Sequence, residues 1–313
     1  MILSAFISCL TGLIMVSCSS RPVPEVQNRN VLKFGWKAPL QFQVEETAER
    51  KGTTSKILYT FGLIETNGEF QLRWLDTRFL LVNGDSVNAE MEKALAPVRM
   101  IFMANPPMRI SRNGEFLGTL HTKEAMEEIN KQLDKAFPDR PEDARQFFAK
   151  MADNPEGQKI AGAALAQKYW SPWVEAWLGL ELVSGQSLTN DSLSSFGESQ
   201  FPARVVISNL GSSPDNPGQI HLRYEQTAHG KEVGRALMGF VNAFSNAVSQ
   251  TSEQPFPELT NANYLVSLEV QTDPLTLRPS WAKRAVRMDA DNPETGKVEL
   301  HESYEFKFIW KTK

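Results

Sequence analysis

Two hydrophobic patterns divide this chain. Apolar and polar positions alternate through both ends, the period-two mark of half-buried strands, and three-to-four spacing fills the middle. Leu40, Phe42 and Val44 share one phase, and Ile57, Tyr59, Phe61 and Leu63 repeat it. Asn67-Gly68 then tolerates the positive φ of a type I′ turn, and Phe70, Leu72 and Trp74 return on a partner strand. Ser86 is placed to cap a short helix that stops at Pro97. Met108 and Ile110, then Asn113-Gly114, then Phe116 and Leu120 spell a second hairpin. The tetrapeptide at 67–70 recurs at 113–116, which shared turn chemistry explains better than a true repeat.

Residues 122–182 form the longest helical stretch. Thr122 can cap a helix carrying Met126, Ile129, Leu133 and Ala136 at helical spacing. Pro141 suits the first position of a second helix, with Glu142 and Asp143 against its positive end. Its buried stripe is Ala144, Phe147, Phe148 and Met151. Asn154-Pro155 starts a third helix, through about Tyr169. Ser171-Pro172 starts a fourth, ending near Gly185. Trp170, Trp173 and Trp177 recur at i, i+3 and i+7, which favours one helical face, although Pro172 interrupts the run. Residues 187–200 are rich in Ser, Asn and Gly and read as a loop.

Alternation then resumes. Val205 and Ile207 mark one strand, and Ile220, Leu222 and Tyr224 mark the next. Val233, Leu237, Phe240, Val241, Phe244 and Val248 describe another amphipathic helix. Its other face, Gly234, Met238, Asn242, Ser245 and Asn246, is small or polar with almost no charge, unlike a helix face fully in water. A meander closes the chain. Tyr264, Val266, Leu268 and Val270 share one phase, and 281–288 returns. Val298, Leu300, Tyr304, Phe306, Phe308 and Trp310 line one side of a long last strand. One apolar and one wet face is the pattern of an antiparallel sheet covered on one side.

Composition removes several function classes. The chain has 313 residues, 41% hydrophobic and 22% charged, with net charge −4. That length suggests about one to two domains and is ample for a large core. No long basic stripe appears, which argues against a nucleic-acid partner. Both cysteines, Cys9 and Cys18, precede the body, which therefore has neither a disulfide framework nor a thiol nucleophile. His121, His221, His229 and His301 show no metal-ligand spacing, and His221 and His301 fall on the wet phase. Asp289, Asp291 and Glu294 lie close together, but Pro293 spoils a calcium-loop pattern. Neither a metal nor a cofactor is expected. The basic strand residues Arg278, Lys283, Arg284 and Arg287 fit cross-strand pairing with Glu299, Glu302 and Glu305.

The N-terminus says where such a chain resides. Residues 1–17 are apolar and uncharged, too short for an ordinary membrane span and placed as a signal peptide is. The run ends in Met15-Val16-Ser17-Cys18-Ser19-Ser20, which resembles the lipobox of bacterial lipoproteins. Met15 stands where Leu is usual, and no Lys or Arg precedes the run. The resemblance implies cleavage before Cys18, diacylglycerol on its sulfur, and membrane anchoring in the bacterial cell envelope. With Ser19 after the cysteine, it implies the periplasmic face of the outer membrane. Residues 19–30 then read as a Pro-containing tether. The body loosely resembles uncharacterised β-rich envelope lipoproteins, through the strand opening at Leu32, the hairpin at 108–120 and the Trp-rich segment leading to Gly185. Half-barrel lipoproteins such as lipoprotein carriers likewise lay helices against a curved sheet.

The expected architecture is α+β. A twisted antiparallel sheet or half-open β-barrel is covered by a central helical segment at about 122–182 and by one further helix. Residues 1–17 are the signal peptide, 18–30 the lipidated tether and 31–313 a single β-rich domain. An apolar pocket is expected between Trp170, Trp173 and Trp177 on one wall and Gly234, Met238 and Ser245 on the other. The leading expectation is a non-enzymatic envelope lipoprotein that binds or shields a lipid or other hydrophobic ligand. The alternative is a structural or assembly lipoprotein acting on an envelope protein partner through its surface. An enzyme ranks third.

Overall fold

A computed structural model describes residues 31–50, 52–196, 199–213, 216–248, 259–292 and 296–310, without the side chains of Phe196 and 240–248. Cys18, with the expected signal peptide and tether, lies outside the described residues. Among the described residues, twelve strands form a mostly antiparallel, unclosed sheet, and several helices accompany them. The first strands are β1 (Leu40–Arg50), β2 (Thr53–Thr66), β3 (Glu69–Val82), β4 (Asp85–Ser86), β5 (Met108–Ile110) and β6 (Phe116–Thr119). The later ones are β7 (Ser187–Phe196), β8 (Ser199–Ser212), β9 (Ile220–His229), β10 (Thr260–Thr272), β11 (Pro279–Asn292) and β12 (Gly296–Trp310). The described residues fall into two compact units, 36–166 with 304–310 and 31–35 with 167–303.

In the first unit the strand order is β6-β5-β3-β2-β1, continued by the last part of β12. The Asn67-Gly68 hairpin is present, with φ of 54° and 82° at its two central residues. Its register sets Leu63 opposite Leu72 and Phe61 opposite Trp74. Aromatic rings fill the inner phase. Phe42 stacks on Phe61 at 5.5 Å and on Trp310 at 4.6 Å, and meets Trp36 edge-on at 5.5 Å. Each such pair adds about 0.5–1.5 kcal/mol beyond the area it buries. Arg50 donates to the Tyr304 hydroxyl and lies over its ring, tying β1 to β12.

Helices α1 (Ala89–Ala94), α2 (Ala96–Met103), α3 (Thr122–Ala136), α4 (Glu142–Asp153) and α5 (Pro155–Leu165) complete this unit. Asn88, not Ser86, caps α1 by accepting from the Glu90 and Met91 amides. Pro97 does not stop a helix but starts α2, because a first-turn proline loses no internal hydrogen bond. Phe102 of α2 meets Tyr59 and Phe79 of the sheet. Helix α3 packs on α2 and α4, and α5 on α4 and β6. Gly162 sits where an added Cβ would be 2.6 Å from Thr119 Oγ1, so α5 approaches β6 closely.

In the second unit β11, β10, β9, β8 and β7 pair in that order, beside the first part of β12. Residues 187–196, read above as loop, form β7, because Asn190 faces Val205 and Leu188 faces Ile207 on β8. Helix α6 is a single turn, Ser171–Trp173, and α7 spans Lys231–Val248. The fourth predicted helix therefore does not run on to Gly185. A wide turn at Ala166–Trp170 leads into α6, and a tight turn at Glu175–Trp177 follows.

Two outcomes are expected from the first unit. Phe42→Ala removes a fully buried ring with four aromatic neighbours and should lower unfolding free energy by about 3–5 kcal/mol in denaturant melts. Arg109 donates through Nε and Nη2 to both Glu69 oxygens, each at 2.9 Å, and so holds that carboxyl below its ordinary value. A folded-state value below the unfolded one adds stability above the ordinary carboxylate range, lost as pH falls through the depressed value. Arg109→Met should move the Glu69 NMR titration upward and weaken that acid sensitivity; an unchanged midpoint would refute the coupling.

Candidate functional site

The expected site begins at the Trp segment. Pro172 cannot donate to the preceding turn, so the chain changes helical type there rather than continuing. The result still buries all three indoles, with Trp170, Trp173 and Trp177 at 0% exposure. Trp177 Nε1 donates to the Pro172 carbonyl at 2.9 Å. Trp170 meets Phe34 edge-on at 5.7 Å, and Trp173 meets Tyr169 at 5.6 Å. Helix α6 packs on β10 and β11. These indoles sit in close-packed surroundings.

The opposite wall was expected on α7. That helix packs on β7, β8, β9 and β10. Gly234 is buried, and a Cβ there would lie 2.2 Å from the Leu259 carbonyl oxygen. Glycine is needed at this point because backbone passes directly over it, not because it borders a void. Met238 is half-buried, and the Ser245 side chain lies outside the described residues. A cleft of about 50 Å³ occurs elsewhere, lined by Thr77, Arg78, Phe79, Val87, Glu92 and Arg99. Ligand sites typically hold several hundred Å³, so it is too small for a lipid.

Sequence reasoning missed a polar cluster inside the second unit. Tyr224 donates to Gln226 Oε1 at 3.0 Å, and Gln226 Nε2 donates to Ser194 Oγ at 2.5 Å. Arg284 and Glu302, read above as members of a cross-strand charge pairing, are each 4% exposed. Their phase was legible: Arg284 alternates with Ala282 and Val286, and Glu302 lies between Leu300 and Tyr304. Burial pushes the Tyr264 hydroxyl far above its ordinary range, opposed by the Arg284 charge. Such a hydroxyl can donate a hydrogen bond but stays protonated near neutral pH, so it cannot serve as a base. A buried, partnered polar set of this kind fixes register.

The remaining candidates are surface contacts. His221 Nε2 and Glu269 Oε2 are 3.0 Å apart, and Arg223 approaches the other Glu269 oxygen. Asp289 accepts from Arg287 Nε at 2.9 Å and lies 3.4 Å from His301 Nε2; Glu294 is outside the described residues. Among the described residues no group of three His, Cys, Asp or Glu is placed to hold a metal ion. No protein-family model and no curated protein matches the chain.

Gly234 discriminates between a lining and a packed position. Gly234→Leu should lower stability by about 1–3 kcal/mol through overpacking, read as a fall in the denaturation midpoint. A pocket-lining glycine would accept the larger side chain without loss.

Proposed function

We propose that this chain is a non-enzymatic lipoprotein of the bacterial cell envelope, anchored through Cys18, that acts by protein–protein contacts at its surface. The observation that carries the choice is the filled interior at the expected pocket: three indoles at 0% exposure and Gly234 pressed against the Leu259 carbonyl. A carrier of hydrophobic ligand needs open space, and among the described residues these positions are packed. The anchor rests on the lipobox-like run ending at Cys18. Among the described residues no helix is long and apolar enough to cross a membrane. A single acyl chain binds only marginally, and lipoprotein processing supplies several.

In each unit we read the helices as a cover over one face of the strands. Contacts of α2 with β3 and of α5 with β6 support this in the first unit, and those of α6 and α7 with β10 in the second. The covered faces are then core, which leaves edges, turns and the wet faces for partners.

Cys18→Ser should shift the protein from the membrane fraction to the soluble fraction. If that variant is processed and stays membrane-bound without detergent, the anchor lies elsewhere. Native mass spectrometry of the detergent-extracted wild type should show the covalent lipid alone. A further, non-covalent lipid retained at stoichiometric occupancy would restore the ligand-binding reading.

A further inference from the structure

We propose that one end of the second unit's sheet is a bilayer-contacting surface, with Leu275, Val183 and Leu210 entering the membrane interface to which Cys18 is anchored. The proposal rests on the lipid-anchor reading and adds to it the face that meets the lipid.

Leu32 donates to the Leu180 carbonyl at 3.0 Å and accepts from Gly179 at 3.0 Å. Gly35 donates to the Thr276 carbonyl at 3.0 Å. A Cβ on Gly35 would lie 3.0 Å from Thr276 Cα, so the first described residues are seated tightly on the turn between β10 and β11. Residues 19–30, which separate Cys18 from this point, can span at most roughly 40 Å. Cys18 therefore lies within that reach of the first described residues, which are held against residues 179–180 and 276.

That neighbourhood displays large apolar side chains. Leu275, beside Thr276, is 78% exposed, more than any other large hydrophobic among the described residues. Val183, three residues after Leu180, is 56% exposed, and Leu210 is 45% exposed. The topology gathers them: β8 and β10 end where β7, β9 and β11 begin. Singly scattered exposed leucines are ordinary. Here each stands on a turn or bulge that fixes it outward. Leu275 N donates to Asp273 Oδ1, and the Leu277 amide donates to the Asp273 carbonyl, which buries Leu277 and turns Leu275 out. Val183 sits on a turn held by Asn209, whose Nδ2 donates to the Leu182 carbonyl. Leu210 is the extra residue of a β-bulge between Asn209 and Gly211. Fixed apolar side chains lose little entropy on entering an interface.

Charge at this end is mixed. Lys33 and Arg278 stand against Glu181 and Asp273, so contact depends on apolar insertion and not on anionic lipid.

The test uses the mature lipidated chain in phosphatidylcholine vesicles containing lipid brominated on its acyl chains. Cys18 is blocked by its lipid, so a bimane label reports one introduced cysteine. Leu275→Cys should float with the vesicles and lose fluorescence on brominated lipid. Leu193→Cys, also exposed but further along β7, should float without that loss. Val183→Cys guards against a local defect at the turn and should behave like Leu275→Cys. Flotation with no quenching difference between 275 or 183 and 193 overturns the contact surface while the anchor stands. Failure of the wild-type chain to float overturns the anchor, and the contact surface with it.

Discussion

Phe42 connects chain segments that are far apart in sequence. Its ring contacts Trp36 and Phe61 nearby and Phe308 and Trp310 near the other end of the chain. Strand β1 pairs with β2 locally but gains its second neighbour only when the last strand exists, and residues 36–166 remain an incomplete unit until then. Residues 167–303 lie between these two pieces in sequence and belong to the other unit. Such long-range pairing is slow to form, because loop closure costs entropy before contacts return it.

The two units meet this demand with different interiors. The first uses rings, from Phe42 and Phe61 to Trp74, 5.2 Å from Phe61. The second places polar groups among its apolar ones: Gln226 at 0% exposure, Arg284 and Glu302 at 4%. Burying a charge is costly unless it is partnered, so these residues add less stability than Leu would. What they add is discrimination. A one-residue slip of β11 would carry Arg284 to the wet face and Lys283 or Ala285 inside.

Much of this was written in the alternation. The Asn67-Gly68 hairpin and the inner phase of β12 follow from period-two spacing and turn chemistry alone. Strand β7 did not, because its Ser, Asn and Asp residues favour turns and carry no local preference for extended structure. It becomes a strand by pairing with β8, a tertiary effect. The Trp segment misled differently. Spacing of i, i+3 and i+7 fits one helical face, yet Pro172 changes the helical type and the packing still buries every indole. Gly234 shows why small residues are ambiguous in sequence. A lining glycine and a close-approach glycine look alike until the Leu259 carbonyl is in place.

With Trp170, Trp173, Trp177 and Gly234 packed, the exposed faces of the second unit are left for contacts. If Cys18 is the anchor, residues 32–35 hold one end of the second unit's sheet within tether reach of the bilayer. The end of β7 and the start of β10 lie at the opposite end of those strands. Strand β7 lies at the edge of the sheet with Leu193 59% exposed and one acid, Asp191, opposite Arg204. Proteins commonly protect such an edge with lysine, proline or a covering segment. Two-dimensional confinement acts in the same direction as fixed orientation. Anchoring raises the effective concentration of any co-anchored partner, so modest contacts suffice. If the anchor reading holds, a fixed face and a membrane that holds it in place can substitute for a deep site.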